Sequence, residues 1–166
     1  GFVAGLKRQN HYICERDAEY SHDPNELKPM QELLETEADL VVGSRYVKGV
    51  NVVNWPLSRV LLSYFASVYV RVVTGMPVND ATAGFVGYKR EVLENMDLNS
   101  IKFVGYAFQI ELKYKAWIKK YVIKEHPIIF VNRERGNSKM NGSIIWEALF
   151  GVLSLRLNKN RFLKKS

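Results

Sequence analysis

The sequence predicts an α/β fold. Strand-like and helix-like segments alternate along it. Apolar residues recur throughout, 47% of 166 residues with 12% aromatic, so a packed core is within reach and disorder is excluded. No internal repeat or low-complexity tract interrupts the alternation.

In chain order, residues 1–8 read as the end of a helix and 12–16 as a short strand. Residues 24–36 read as a helix, with Asp23 as N-cap and Pro24 at its first position, and Pro29 limiting the regularity of the first turns. Residues 39–44 form a second strand. Residues 55–74 form a helix opened by Pro56 and closed by Gly75 and Pro77, with Leu61, Tyr64, Phe65 and Val68 at helical spacing. A third strand over 85–88 leads into a short helix over 90–96. Residues 108–119 are helical, with Ile110, Leu112, Tyr114 and Trp117 among the apolar positions. Residues 121–131 form a strand that Pro127 makes an edge strand or a bent one. Residues 143–157 form the closing helix, rich in apolar residues and followed by Lys159, Arg161, Lys164 and Lys165 without any acid. Such a helix with a basic end suits either core packing or an anionic membrane surface.

The formal net charge is +7, which calls for an anionic partner: nucleic acid, acidic lipid or a phosphorylated substrate. The aromatics sit at core spacing rather than on a basic face, so no nucleic acid is expected. Cys14 is the single cysteine, which allows no internal disulfide and suits a reducing compartment. The first residues lack the apolar core of a signal peptide. The longest apolar runs are broken by Arg71 and Glu147, so a soluble or peripheral protein is expected. His11, His22, His126 and Cys14 have no zinc-ligand spacing. Neither a phosphate-binding G-x-x-x-x-G-K-[ST] loop, a G-x-G-x-x-G fingerprint nor a G-x-S-x-G elbow occurs.

Six segments carry chemistry. Asp17, Ala18 and Glu19 follow the first strand; two carboxylates two residues apart can share one hard cation, or form a solvated acidic turn. Gly43, Ser44, Arg45 and Tyr46 put an arginine at the carboxyl end of a strand, where open α/β sheets bind ligands. Arg59, in the run Asn54, Trp55, Pro56, Leu57 and Ser58, offers a second guanidinium suited to phosphate. Asp80 opens a turn of small residues ending at Gly84, as a ligand residue or a turn cap. Gln109 stands at a helix start where a cleft is expected, whereas Glu111 reads as a partner of the helix dipole. Arg133, Arg135 and Lys139, with Gly136 and Ser138, form a cationic loop able to close over a polyphosphate or simply a solvated one.

In this order and spacing the segments resemble the dolichol-phosphate (polyprenol-phosphate) mannose synthases of glycosyltransferase family 2 over nearly the whole chain. The resemblance implies a GT-A fold, of which the chain represents the C-terminal two-thirds without the N-terminal strands. Residues 1–142 would be the catalytic domain, and 143–166 an amphipathic closing helix and basic tail. It implies an inverting hexosyltransferase that moves mannose from GDP-mannose to a polyprenyl phosphate with Mg²⁺ or Mn²⁺, on the cytoplasmic face of a membrane. By position, Asp17 and Glu19 match the catalytic acidic motif that binds metal and diphosphate. Ala18 lies within it, and Ser21 adds a metal or donor contact. Arg133 and Lys139 match the loop that holds the nucleotide sugar. Arg45, Arg59, Asp80, Gln109 and Ser138 fall to the acceptor phosphate. Glu19 stands where the family usually has a second aspartate, and Arg16 where an apolar residue is usual. The same motifs would serve a relative using UDP-glucose, or a non-catalytic domain that binds lipid phosphate or a partner.

Overall fold

A computed structural model of the protein describes residues 2–16, 22–131, 142–159 and 162. In chain order these form α1 (Phe2–Leu6), β1 (Tyr12–Glu15), α2 (Leu27–Thr36), β2 (Leu40–Ser44), β3 (Val52–Val53), α3 (Leu57–Thr74), β4 (Val86–Lys89), α4 (Arg90–Glu94), α5 (Gly105–Ile118), β5 (Ile123–Pro127), β6 (Phe130–Val131) and α6 (Gly142–Leu157). Short 3₁₀ turns occupy Pro24–Glu26 and Leu98–Ser100. Four strands make one sheet in the order β1-β4-β2-β5, and β3 pairs with β6. β4 runs antiparallel to β1 and to β2, while β2 and β5 are parallel. β1, β2 and β5 therefore point the same way and end along one edge of the sheet. This mixed α/β arrangement is consistent with the expected GT-A fold.

β2 shows why an uninterrupted apolar strand forms here. Leu40, Val41 and Val42 are all fully buried, because helices cover both faces of the sheet. Alternation sends Leu40 and Val42 into the larger core, with Val70, Tyr88, Ile110 and Leu112. Val41 faces the smaller core, with Met30, Leu34, Phe85 and Ile128. At Gly43 a β-carbon would lie 2.8 Å from the Phe85 ring and 3.2 Å from both Ile128 Cδ1 and the Phe85 carbonyl oxygen. Gly43→Ala is therefore expected to cost about 1–3 kcal/mol by overpacking, read as a lower urea midpoint at unchanged slope.

Several boundaries differ from the sequence reading, each for a physical reason. The helix expected over 24–36 is split: Asp23 accepts a hydrogen bond from Asn25 N and caps a 3₁₀ turn, and α2 starts afresh at Leu27. That restart leaves Pro29 in the first turn, where a missing N–H removes no helical bond. α5 starts at Gly105, three residues before the expected 108. The strand over 121–131 bends as Pro127 requires: β5 ends there at the rim of the main sheet, and 130–131 pairs with β3 instead. The two-residue β3 has no periodic signature in the sequence.

α3 departs most. It closes as expected, with Gly75 at φ 75° donating its N–H to the Arg71 carbonyl. Its buried face, however, is Ser63, Ser67, Val70 and Thr74, while Leu61, Tyr64 and Phe65 are exposed. With Leu57 and Val72 they give the helix an outward apolar face. Contrary to the expectation that Arg71 interrupts it, α3 is long and apolar enough, by length and composition, to cross a membrane; Arg71 lies in its last turn. α6 packs beside α3, with the Tyr69 hydroxyl donating to the Leu149 carbonyl at 3.0 Å. It is apolar on both sides: Val152 and Leu155 face the core, and Trp146, Phe150, Leu153 and Leu157 face outward.

Candidate functional site

The site grows from the carboxyl end of β2. Past Ser44 the chain folds back, with Tyr46 N donating to Ser44 Oγ and Asn51 N donating to the Arg45 carbonyl. That turn sends the Arg45 side chain inward, where only 6% of the residue stays exposed. Its Nε donates to Asp80 Oδ2 at 2.7 Å, and its Nη2 to Asp80 Oδ1 at 2.6 Å and to Thr82 Oγ1 at 2.9 Å. The Arg45 backbone N–H also donates to Asp80 Oδ2. Asp80 is fully buried. Burial alone would raise its carboxyl, but the Arg45 charge and hydrogen bonds outweigh that and hold it below the usual range. Burial likewise opposes the Arg45 cation, and Asp80 more than restores it. Both groups are charged, as a buried pair with matched donors and acceptors must be.

The loop that carries Asp80 is fixed from three sides. Glu125, on β5, accepts from Asn79 N, Asn79 Nδ2 and Asp80 N. Arg71, on α3, donates to Asn79 Oδ1 at 2.7 Å. Lys113, on α5, donates to the carbonyls of Ala81 and Ala83. Asp80 is thus engaged with Arg45 rather than facing outward as a ligand residue, and it orients the arginine.

Above this pair opens an apolar cleft of about 80 Å³. α3 supplies Leu62, Ala66 and Val70, α5 supplies Ile110, and α6 supplies Leu149 and Val152. Arg45, Trp55 and Arg59 stand on its wall. The Arg59 guanidinium carbon lies 4.0 Å from the Trp55 ring centre, and that of Arg45 lies 5.3 Å from it. Tyr46 and Phe130 complete the aromatic surround of Arg45. Trp55 Nε1 is buried and, among the described residues, donates to no protein atom. With Nε and Nη2 of Arg45 committed, its Nη1 remains for a further partner. An apolar channel with two cations and an unused indole N–H is built for an amphiphile with an anionic head.

Arg45 and Arg59, predicted separately, thus meet on one tryptophan. Gln109 does not join them: its Nε2 donates to Glu15 Oε1 at 2.8 Å, tying α5 to the end of β1. Glu111, read as a partner of the helix dipole, instead accepts from Lys102 N and Phe103 N and pairs with Lys115 at 2.7 Å, stapling the preceding loop to α5. Asp17, Ala18, Glu19, Ser21, Arg133, Ser138 and Lys139 lie outside the described residues. β1 ends at Glu15 on the same sheet edge as Arg45. Among the described residues no three His, Cys, Asp or Glu side chains gather as a metal site. The sequence reading missed Trp55, Thr82 and Lys113. For Trp55 the signal was present, an aromatic inside the run that carries Arg59; the other two have none.

The family model described as glycosyl transferase family 2 matches residues 6–97. The chain is 45% identical over 152 residues to the polyprenol monophosphomannose synthase of Mycolicibacterium smegmatis, covering 92% of this chain and 57% of that protein. It is 42% identical over 152 residues to the undecaprenyl-phosphate mannosyltransferase of Micrococcus luteus, covering 92% and 62%. It is 36% identical over 141 residues to the dolichol-phosphate mannosyltransferase of Pyrococcus furiosus, covering 84% and 39%. The chain thus spans less than two-thirds of the length of each of these relatives.

Proposed function

Since the chain belongs to glycosyltransferase family 2, we propose that its cleft receives a polyprenyl phosphate and that the protein transfers mannose to it from GDP-mannose. The observation that carries the acceptor half is the junction of Arg45, Trp55 and Arg59 with an apolar channel. The phosphate would sit against the Arg45 and Arg59 guanidinium groups and the indole N–H, and the isoprenoid chain would lie between α3 and α6. The relatives' names, which specify mannosyltransferases of undecaprenyl and dolichol phosphate and a synthase of polyprenol monophosphomannose, support the sugar and acceptor classes.

The reaction is a single displacement with inversion. An oxygen of the acceptor phosphate attacks the anomeric carbon as the bond to the nucleotide's diphosphate breaks. The phosphate is already anionic near neutral pH, so the protein need not supply a general base. Arg45 and Arg59 align it. The family generally uses divalent metal ions, and the oxygen donors of Asp17, Glu19 and Ser21 suit Mg²⁺ or Mn²⁺. Such an ion would supply charge neutralisation for the departing diphosphate. Arg133 and Lys139 would hold that diphosphate, with Ser138 near the acceptor.

The outward stripes of α3 (Leu57, Leu61, Phe65, Val72) and α6 (Trp146, Phe150, Leu153, Leu157) flank the cleft. Placed against the cytoplasmic face of a bilayer, they would let a prenyl chain enter from the lipid.

Two measurements test this reading. Farnesyl phosphate is expected to quench Trp55 fluorescence saturably, and Arg59→Ala to weaken its binding about tenfold, the loss of one charge-assisted contact. Absence of binding, or binding indifferent to Arg59→Ala, would reject the acceptor site. In the transfer assay, labelled mannose from GDP-mannose should enter the organic phase, and Asp17→Ala should abolish this. Equal transfer from UDP-glucose would reject the mannose assignment.

A further inference from the structure

We propose that Lys113 is a positioning residue: its ammonium holds the Asp80-bearing loop, and through it the Arg45 guanidinium, in the geometry that grips the acceptor phosphate. The proposal rests on the acceptor reading above and goes beyond it, because Lys113 does not line the cleft.

Lys113 sits in the middle of α5 with 0% of its surface exposed. A lysine is almost never buried so completely unless its charge is answered. Here Nζ lies 2.6 Å from the Ala83 carbonyl, 3.1 Å from that of Ala81 and 3.3 Å from that of Gln109. An ammonium has three N–H groups, and three carbonyls receive them. Ala81 and Ala83 flank Thr82, which accepts from Arg45 Nη2, and they follow Asp80, which accepts the rest of the Arg45 fork. The lysine therefore fixes the backbone on both sides of the residues that orient Arg45. A leucine or methionine would fill the same volume but leave two loop carbonyls buried without a donor.

The surroundings make this hold sensitive to protonation. Asp80 on the loop, Glu15 on β1 and Glu125 on β5 favour the cation, and Arg45 opposes it. Desolvation outweighs all of these and brings the Lys113 ammonium down to about 7. A neutral amine has two N–H groups and a lone pair, so one of the three carbonyls loses its donor. The grip on the acceptor phosphate is thus strongest below neutrality and loosens above it.

The test compares wild type with Lys113→Met in two arms. Without ligand, at pH 6.5, hydrogen exchange at the amides of Arg45, Asp80 and Ala83 should be at least tenfold faster in the variant, with α2 unchanged. Equal exchange at those three amides overturns the proposal. In the second arm, farnesyl phosphate affinity of the wild type should fall severalfold from pH 6 to 8.5, while the variant binds more weakly with that fall absent. A variant keeping the wild-type affinity and pH profile also overturns it. If the variant does not fold, lysine side-chain NMR of the wild type decides. One lysine titrating near neutrality, in step with faster exchange at Arg45, supports the proposal; every lysine titrating near its ordinary value refutes it. Failure of the wild type to bind farnesyl phosphate at any pH rejects the acceptor reading instead, and the exchange arm still decides whether Lys113 holds the loop.

Discussion

Asp80→Ala is expected to destabilise the fold by about 3–5 kcal/mol, the cost of stranding a buried partner charge. For a chain of this size that is a drop of roughly 6–20 °C in melting temperature. The cause is not the lost contact alone. Arg45 is 6% exposed and cannot swing into water, so its guanidinium would remain inside with both of its bonds to Asp80 gone, along with that of the Arg45 backbone N–H. Asp80→Asn should cost less, since it keeps one acceptor oxygen. Replacing both partners, as Arg45→Met with Asp80→Leu, should recover part of the single-variant loss, because the desolvation penalty disappears with the charges. Urea unfolding of the four proteins closes the cycle. A double variant as unstable as the sum of the two singles would show that the pair has no coupled energy. Farnesyl phosphate binding should be lost in both singles and in the double, since each disturbs or removes Arg45.

Stability should also rise with pH between 7 and 9, by about 2–3 kcal/mol at about 1.4 kcal/mol per pH unit. The sign follows from Lys113. Unfolded, its amine keeps its proton up to the ordinary value of 10.5; folded, burial brings it down to about 7. Below pH 7 both states bind the proton and stability does not change. Between 7 and 10.5 the unfolded state binds one proton more than the folded one, so raising the pH favours folding. Cys14 limits the range. Desolvation by its neighbours pushes its thiol up to about 11, so above pH 9 the unfolded thiol ionises first and offsets the rise from Lys113. Tyr88, raised by burial, acts in the same direction above pH 10. Thermal melts from pH 6 to 10.5 should therefore rise from pH 7, level off between about 9 and 10, and fall above 10. In Lys113→Met the rise between 7 and 9 should be absent, and a rise of equal size would assign it to another group. Stability and acceptor binding are expected to move in opposite directions across neutrality.

The parts of the structure that were legible in the sequence are those encoded locally. The strand over 39–44 is a short apolar run, and α3 ends where Gly75 and Pro77 say it must. The bend at Pro127 follows from one missing N–H. Helical period, in contrast, did not tell which way α3 faces. Its apolar stripe was visible, but whether a stripe faces a core depends on what lies opposite, and the inward side of α3 is built from Ser63, Ser67 and Thr74. The site divides in the same way. Arg45 was readable because it stands at a strand end. Its tie to Asp80, 35 residues away, was not, since no spacing encodes a contact made by the chain's return. Lys113 was still less visible. A lysine on a helix is ordinarily solvated, and only the crossing of α5 over the 80–84 loop converts it into an interior group.

One feature of the sheet sets a length. β4 lies between β1 and β2, and neighbouring strands are held about 4.8 Å apart by their backbone hydrogen bonds. Glu15 at the end of β1, two residues before Asp17, and Val42 of β2 both pair with Val86 and so stand about 9–10 Å apart, and β2 runs on two residues to Ser44, next to Arg45. Under the proposed reaction the end of β1 belongs to the departing nucleotide and the end of β2 to the attacking phosphate, so the transferred ring must bridge them. This span is a ruler made of main chain. Substitutions in the loops can change which sugar or lipid is welcomed at either end, but they leave the gauge between the ends unchanged.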